Sequence, residues 1–235
     1  MLHGFLMDHT MFDKQKAAFG KTHRIIAIDS YGHGNSSPGT RAFTYWDTAQ
    51  QIARLLGHLG ISPATILGMS QGGFTALRLA ITAPDLVSSL ILVGSEAASM
   101  PEIVQHEMRD LFTSWDNVRT NPDVIAGLAG QIIGCKKFWG KWPWLWGEIP
   151  QNQLALAAKC LIERDDITHM LHQIQARKLV IVGENDGAVS PTVQRKLAQS
   201  LPDCSGVTVV PEAGHAANMT HPGPVNDSIH EFLIF

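Results

Sequence analysis

The chain has 235 residues, 45% of them hydrophobic and 17% charged, with a formal net charge of −3. This is enough for one sizeable core in a single domain spanning 1–235. The longest Lys/Arg run is the pair Lys136-Lys137, which excludes the basic clusters of nucleic-acid or anionic-membrane binders. No apolar run reaches the roughly 18 residues of a membrane span, and no secretory segment opens the chain.

The three cysteines, Cys135, Cys160 and Cys204, are scattered and odd in number. They match no zinc spacing and no disulfide framework, which fits a reducing, cytoplasmic setting.

In chain order, "RIIAID" (24–29) is an apolar strand candidate that leads into the glycine-rich turn "SYGHGNSSPG". "ATILGMS" (64–70) is followed by the helical pattern "QGGFTALRLAITA", and "SLILVGS" (89–95) comes next. "KLVIVGEND" (178–186) precedes "SPTVQRKLAQSL", and "GVTVVPEAG" (206–214) precedes a final helix near 224–233. Continuous apolar strands alternating with helices predict a mostly parallel sheet covered on both faces, an α/β fold. Residues 97–172 carry no strand signal. They read as a small helical cap inserted over the carboxyl ends of the strands, where sites of open α/β sheets lie. Within it, "FWGKWPWLWGEIP" (138–150) holds Trp139, Trp142, Trp144 and Trp146, four of the chain's six tryptophans.

Chemistry concentrates at the strand ends. Gly68, Ser70 and Gly72 form G-x-S-x-G between a strand and a helix, the pattern of a nucleophile on a strained turn. A serine hydroxyl needs a base, and His215 follows the last strand. The base needs a carboxylate to fix its tautomer, and Asp186 ends the preceding strand. The order Ser, Asp, His is the one expected for such an elbow. His221 competes with His215, but it precedes a proline at the start of the last helix. Glu184 and Glu96 compete with Asp186. His33 in the "YGHGNSS" turn reads as structural, Asp29 as a tie within that turn, and Asp8-His9 as loop residues near the pocket.

The pieces "HGF" (3–5), "IDSYGHGNSS" (28–37), "GMSQGG" (68–73), "GENDGAVSP" (183–191) and "GHAANMTHP" (214–222) together resemble the α/β-hydrolase superfamily, in its esterase, lactonase and haloperoxidase-like branch. The resemblance implies a Ser70–His215–Asp186 triad and an oxyanion hole made by the N–H groups of Phe5 and Gln71. It also implies a carboxylesterase-type hydrolase acting on a small ester, with no metal or organic cofactor. A lactonase opening enol-lactone or acyl-homoserine lactone rings uses the same parts. A non-catalytic small-molecule receptor on the same scaffold is the rival from another class. Phe5, Trp144 and Trp146 are candidates to line the pocket, the tryptophan group otherwise reading as cap core. Relatives carry two antiparallel strands and most of a third before the His-Gly pair, whereas this chain begins at "MLHG". Either the true start lies upstream or the sheet lacks that edge. An exposed edge at "RIIAID" invites pairing, and a homodimer covering it is expected.

Overall fold

A computed structural model describes residues 1–234. Helices α1 (Asp13–Phe19) and α2 (Tyr45–His58) precede strand β1 (Ala64–Met69), helix α3 (Gln71–Thr82) and strand β2 (Val87–Val93). Five helices follow: α4 (Glu102–Thr113), α5 (Trp115–Val118), α6 (Pro122–Ile132), α7 (Trp142–Glu148) and α8 (Gln151–Ile162). The chain then makes β3 (Arg177–Gly183), α9 (Pro191–Ser200), β4 (Cys204–Val210), α10 (Ala217–Thr220) and α11 (Pro222–Ile234). The sheet order is β1-β2-β3-β4, and every neighbouring pair is parallel.

Alternation along the strands splits the core in two. Leu67, Met69, Ile91, Val93, Leu179 and Ile181 face one side, where Phe19 of α1 and Ile229 and Phe232 of α11 cover them. Ile66, Leu90, Leu92, Val180 and Val182 face the other, against Ile52 and Leu56 of α2, Leu77 of α3 and Leu197 of α9. Strands apolar on both faces need helices on both faces, and the expected three-layer α/β architecture is the result. Helices alone occupy the chain between β2 and β3 among the described residues. None of the described helices is long and apolar enough to cross a membrane.

One predicted strand is corrected. Residues 24–29 form no strand; only Ile28 bridges, to Leu2, which also bridges Gly68 of β1. The Leu2 N–H donates to the Leu67 carbonyl and the Met69 N–H to that of Leu2, at 2.8 and 3.0 Å. The Ile28 N–H donates to the Met1 carbonyl at 3.2 Å. Residues 24–29 therefore make a single bridge, too little for a ladder, although their direction continues the sheet. The predicted runs 64–70 and 178–186 also overshoot. Their last residues are the turns that carry Ser70 and Asp186.

Candidate active site

Ser70 caps α3 directly after β1, with φ 52° and ψ −117°. A non-glycine residue there is strained by roughly 1–3 kcal/mol and needs surroundings that over-determine it. Those surroundings are present. The Ser70 N–H donates to the Val93 carbonyl at 2.9 Å, and its own carbonyl accepts from the Gly73 N–H at 2.8 Å. The Ser95 hydroxyl donates to the same carbonyl at 3.1 Å. A Cβ at Gly72 would stand 2.0 Å from the Leu2 carbonyl oxygen, so the elbow packs on residues 1–3 only because position 72 has no side chain.

Asp186 is buried in the turn between β3 and α9. Its Oδ1 accepts from the Ala188 and Val189 N–H groups, both at 2.9 Å, and its Oδ2 from the Gln194 side-chain amide at 2.8 Å. His215 Nδ1 lies 2.9 Å from the same Oδ2. A carboxylate accepts, so Nδ1 is the ring nitrogen that donates in this contact and Nε2 is the one turned away from Asp186. Gln194 owes its place to α9, which starts at Pro191 under a Ser190 cap.

Ser70 and His215 line one cavity of about 190 Å3, together with Gly4 and Phe5. The loop carrying Phe5 is clamped by His3. Its Nε2 accepts from the Ser30 N–H at 2.9 Å, which leaves Nδ1 to donate to the Gly4 carbonyl at 2.8 Å. Leu6 turns the loop with φ 62°. Neither the Phe5 nor the Gln71 N–H meets a backbone acceptor among the described residues, so both remain free to bind an anion. The Gln71 side chain turns away, accepting from the Tyr45 hydroxyl at 3.4 Å.

The rival carboxylates are engaged elsewhere. Glu184 accepts from the Glu212 N–H at 2.9 Å. Glu96 pairs with Arg164 at 2.6 Å; burial pushes its carboxyl above the usual range while the guanidinium pulls it back. The His221 ring lies tilted against Phe138, with centroids 5.5 Å apart. His33 is buried against His3 and Phe5 with ring centroids 5.1 Å apart in each case, and burial pushes its imidazole down to about 3. Asp29 takes the His9 N–H at 2.7 Å, the His9 imidazole and the Asn35 N–H. Burial works against its ionised form, but these donors prevail and hold it below the usual carboxylate range.

The tryptophan candidates do not line this cavity. Trp144 is 66% exposed, and Trp146 is 0% exposed with its indole N–H donating to the Leu6 carbonyl at 2.7 Å. Its NH reaches a backbone acceptor, so the ring braces the Phe5 loop from behind instead of facing the cavity. Phe5 does line it, with Phe112 in edge contact at 5.1 Å. Gln194, Ser95 and Arg164 went unrecognised in the sequence. Only the helix start "SPTVQ" signals Gln194 at all. A larger cavity of about 360 Å3, lined by Ile25, Ile26, Pro63 and Ile229, holds none of Ser70, Asp186 or His215. No group of three or more His, Cys, Asp or Glu is arranged to hold a metal ion among the described residues.

The family model for the alpha/beta hydrolase fold matches residues 1–126. The acetyltransferase component of an acetoin-cleaving system from Pseudomonas putida is 29% identical over 99% of this chain, which spans 62% of that relative's length. A pimeloyl-[acyl-carrier protein] methyl ester esterase from Neisseria meningitidis is 29% identical over 94% of this chain and 86% of its own. A thermophilic esterase from Thermogutta terrifontis superposes with a TM-score of 0.89 and 27% identity, covering 99% of this chain and 87% of that one.

Proposed function

We propose that this chain, which belongs to the alpha/beta hydrolase fold family, cleaves carboxylic esters through an acyl-enzyme on Ser70. One observation carries the reading. A serine held at φ 52° shares a cavity with a histidine whose Nδ1 is fixed by a buried carboxylate.

In this reading the Ser70 Oγ attacks the ester carbonyl carbon while His215 Nε2 takes the hydroxyl proton. The N–H groups of Phe5 and Gln71 receive the oxyanion, where each donor is worth about 3 kcal/mol. The tetrahedral species collapses, the C–O bond to the alcohol breaks, and His215 hands its proton to that oxygen. Water, deprotonated by His215, then hydrolyses the acyl-enzyme and restores Ser70. Asp186 keeps the imidazole in its working tautomer and offsets the transient positive charge.

Esters are favoured over lactones because two relatives similar over nearly the whole chain are described as esterases. The small cavity favours short acyl groups. The test is hydrolysis of p-nitrophenyl esters from acetate to decanoate. Activity is expected to be highest on short chains and to fall roughly a thousand-fold or more in Ser70→Ala. Equal inactivity of both proteins on every ester and on lactones would overturn the reading and leave a ligand-binding protein on a hydrolase scaffold. The reading includes a homodimer covering the partly exposed segment at residues 24–29, where Ile25 and Ile26 border an apolar cavity. A monodisperse monomer by light scattering would remove that part alone.

A further inference from the structure

The cavity above Ser70 is walled mainly by Phe5, Met69, Phe74, Met100, Met108 and Phe112. Two charged side chains interrupt this lining: Glu96, just past β2, and Arg164, just past α8. They pair at 2.6 Å with side-chain exposures of 17% and 5%, and the guanidinium lies over the Phe74 ring at 4.7 Å. Neither takes part in the proposed ester chemistry.

Their hydrogen bonds are incomplete. Arg164 Nε donates to the Ala98 carbonyl, Nη1 to that of Leu161 and Nη2 to Glu96 Oε1. A guanidinium has five N–H donors, so these bonds leave two over. Glu96 Oε2 meets no protein donor among the described residues, and Glu96 lines the cavity with its side chain still 17% exposed.

We infer that the Glu96–Arg164 pair is a recognition subsite for a neutral group carrying both a hydrogen-bond donor and an acceptor, a secondary amide above all, on the ester substrate. The inference rests on the ester-hydrolase reading for its reaction but not for its binding. A carboxylate placed there meets Glu96, and an ammonium meets Arg164. A hydrocarbon expels water and leaves the spare N–H groups and Oε2 unpaired, which a site of this kind penalises. An amide places its N–H on Oε2 and its carbonyl on the guanidinium, and the pair stays neutral.

The rival account is a structural tie, since Arg164 also joins the Ala98 and Leu161 carbonyls. The experiment separates the two with p-nitrophenyl esters of ω-acetamido acids, three to seven methylenes long. Alkanoates and ω-carboxylate esters of matched length serve as controls. At one chain length the acetamido ester is expected to exceed the carboxylate ester at least ten-fold in kcat/KM. In Glu96→Gln, Arg164 keeps its charge and loses its compensating anion, so the carboxylate ester should gain at least ten-fold relative to the acetamido ester. Three esters within two-fold of one another at every length in the native protein would overturn the inference. So would a Glu96→Gln change common to all substrates, as a structural tie requires. Should Glu96→Gln fail to fold, the native comparison decides alone. Calorimetric binding of the same esters to Ser70→Ala isolates the subsite from the chemistry. The acetamido preference there, without hydrolysis by the native protein, defeats the ester reading and keeps the subsite. Hydrolysis without that preference does the reverse.

Discussion

Gln194 holds the carboxylate that in turn holds His215. Its amide is fully buried, donating to Asp186 Oδ2 and to the Val189 carbonyl at 2.7 Å. A hydrogen bond to a charged group contributes about 1.5–3 kcal/mol. The Ala188 and Val189 N–H groups remain when it is removed, so Gln194→Leu should sit at the lower end. We expect kcat to fall about ten-fold with KM nearly unchanged in steady-state kinetics; a matching rise in KM would mean that Gln194 serves binding instead. His33 carries a prediction about pH. Its folded value, about 3, lies below the ordinary 6.5, so between these the unfolded chain binds more protons. Stability is therefore present above about pH 6.5 and is lost as pH falls toward 3. Urea midpoints at pH 7 and pH 4.5 should differ less in His33→Asn than in the native protein. The sequence marks Ser70, Asp186 and His215 as candidates because each sits where an apolar run stops. The pairing of Glu96 with Arg164 could not be read there, since only packing of separate segments brings the two together, and Gln194 shows only through the helix start that carries it.

Elements were legible where hydrophobic periodicity is local. The four strands and their following helices come from apolar runs and turn residues that sit within one window of sequence. Residues 24–29 have the same composition and still form no strand, because pairing depends on what lies alongside, and there a single residue, Leu2, bridges them. The aromatic run 138–146 reads as cap core or as pocket wall; of its two pocket candidates, Trp144 is exposed, Trp146 braces the Leu6 carbonyl and neither lines the cavity. A helix face alone does not say which neighbour it meets. The elbow itself is the most demanding junction. At Gly72→Ala, the added Cβ would meet the Leu2 backbone oxygen at 2.0 Å, and neither backbone segment can yield without breaking the Leu2 bonds to β1. We expect a loss of more than about 3 kcal/mol, the range of severe backbone clashes, seen as a large drop in urea midpoint or as insoluble protein. An unchanged midpoint would mean that residues 1–3 do not hold the elbow.

On the scale of the whole molecule, the helices between β2 and β3 must be tied back to the sheet they interrupt. One tie runs from α3 to the end of that segment. Arg78 of α3 pairs with Asp165 at 2.6 Å, with side-chain exposures of 2% and 49%. Its guanidinium also donates to the Phe74 and Asp165 carbonyls and lies 5.7 and 5.2 Å from the Tyr45 and Trp46 ring centres. Its Nε is buried without a partner among the described residues, so the arginine has little reserve. The unequal burial predicts unequal costs. Asp165→Ala strands a buried cation, and stranding one partner of a buried pair costs about 3–5 kcal/mol. Two carbonyl acceptors remain and Asp165 is half in water, which brings the expectation to about 2 kcal/mol. Arg78→Met removes the charge, keeps much of the volume and leaves an aspartate that water can solvate, so it should cost less than half as much. Urea titrations of both variants at neutral pH measure the difference. The opposite order, with Arg78→Met the more damaging, would mean that the aromatic and carbonyl contacts of Arg78, and not its pairing with Asp165, fasten the helical segment to α3.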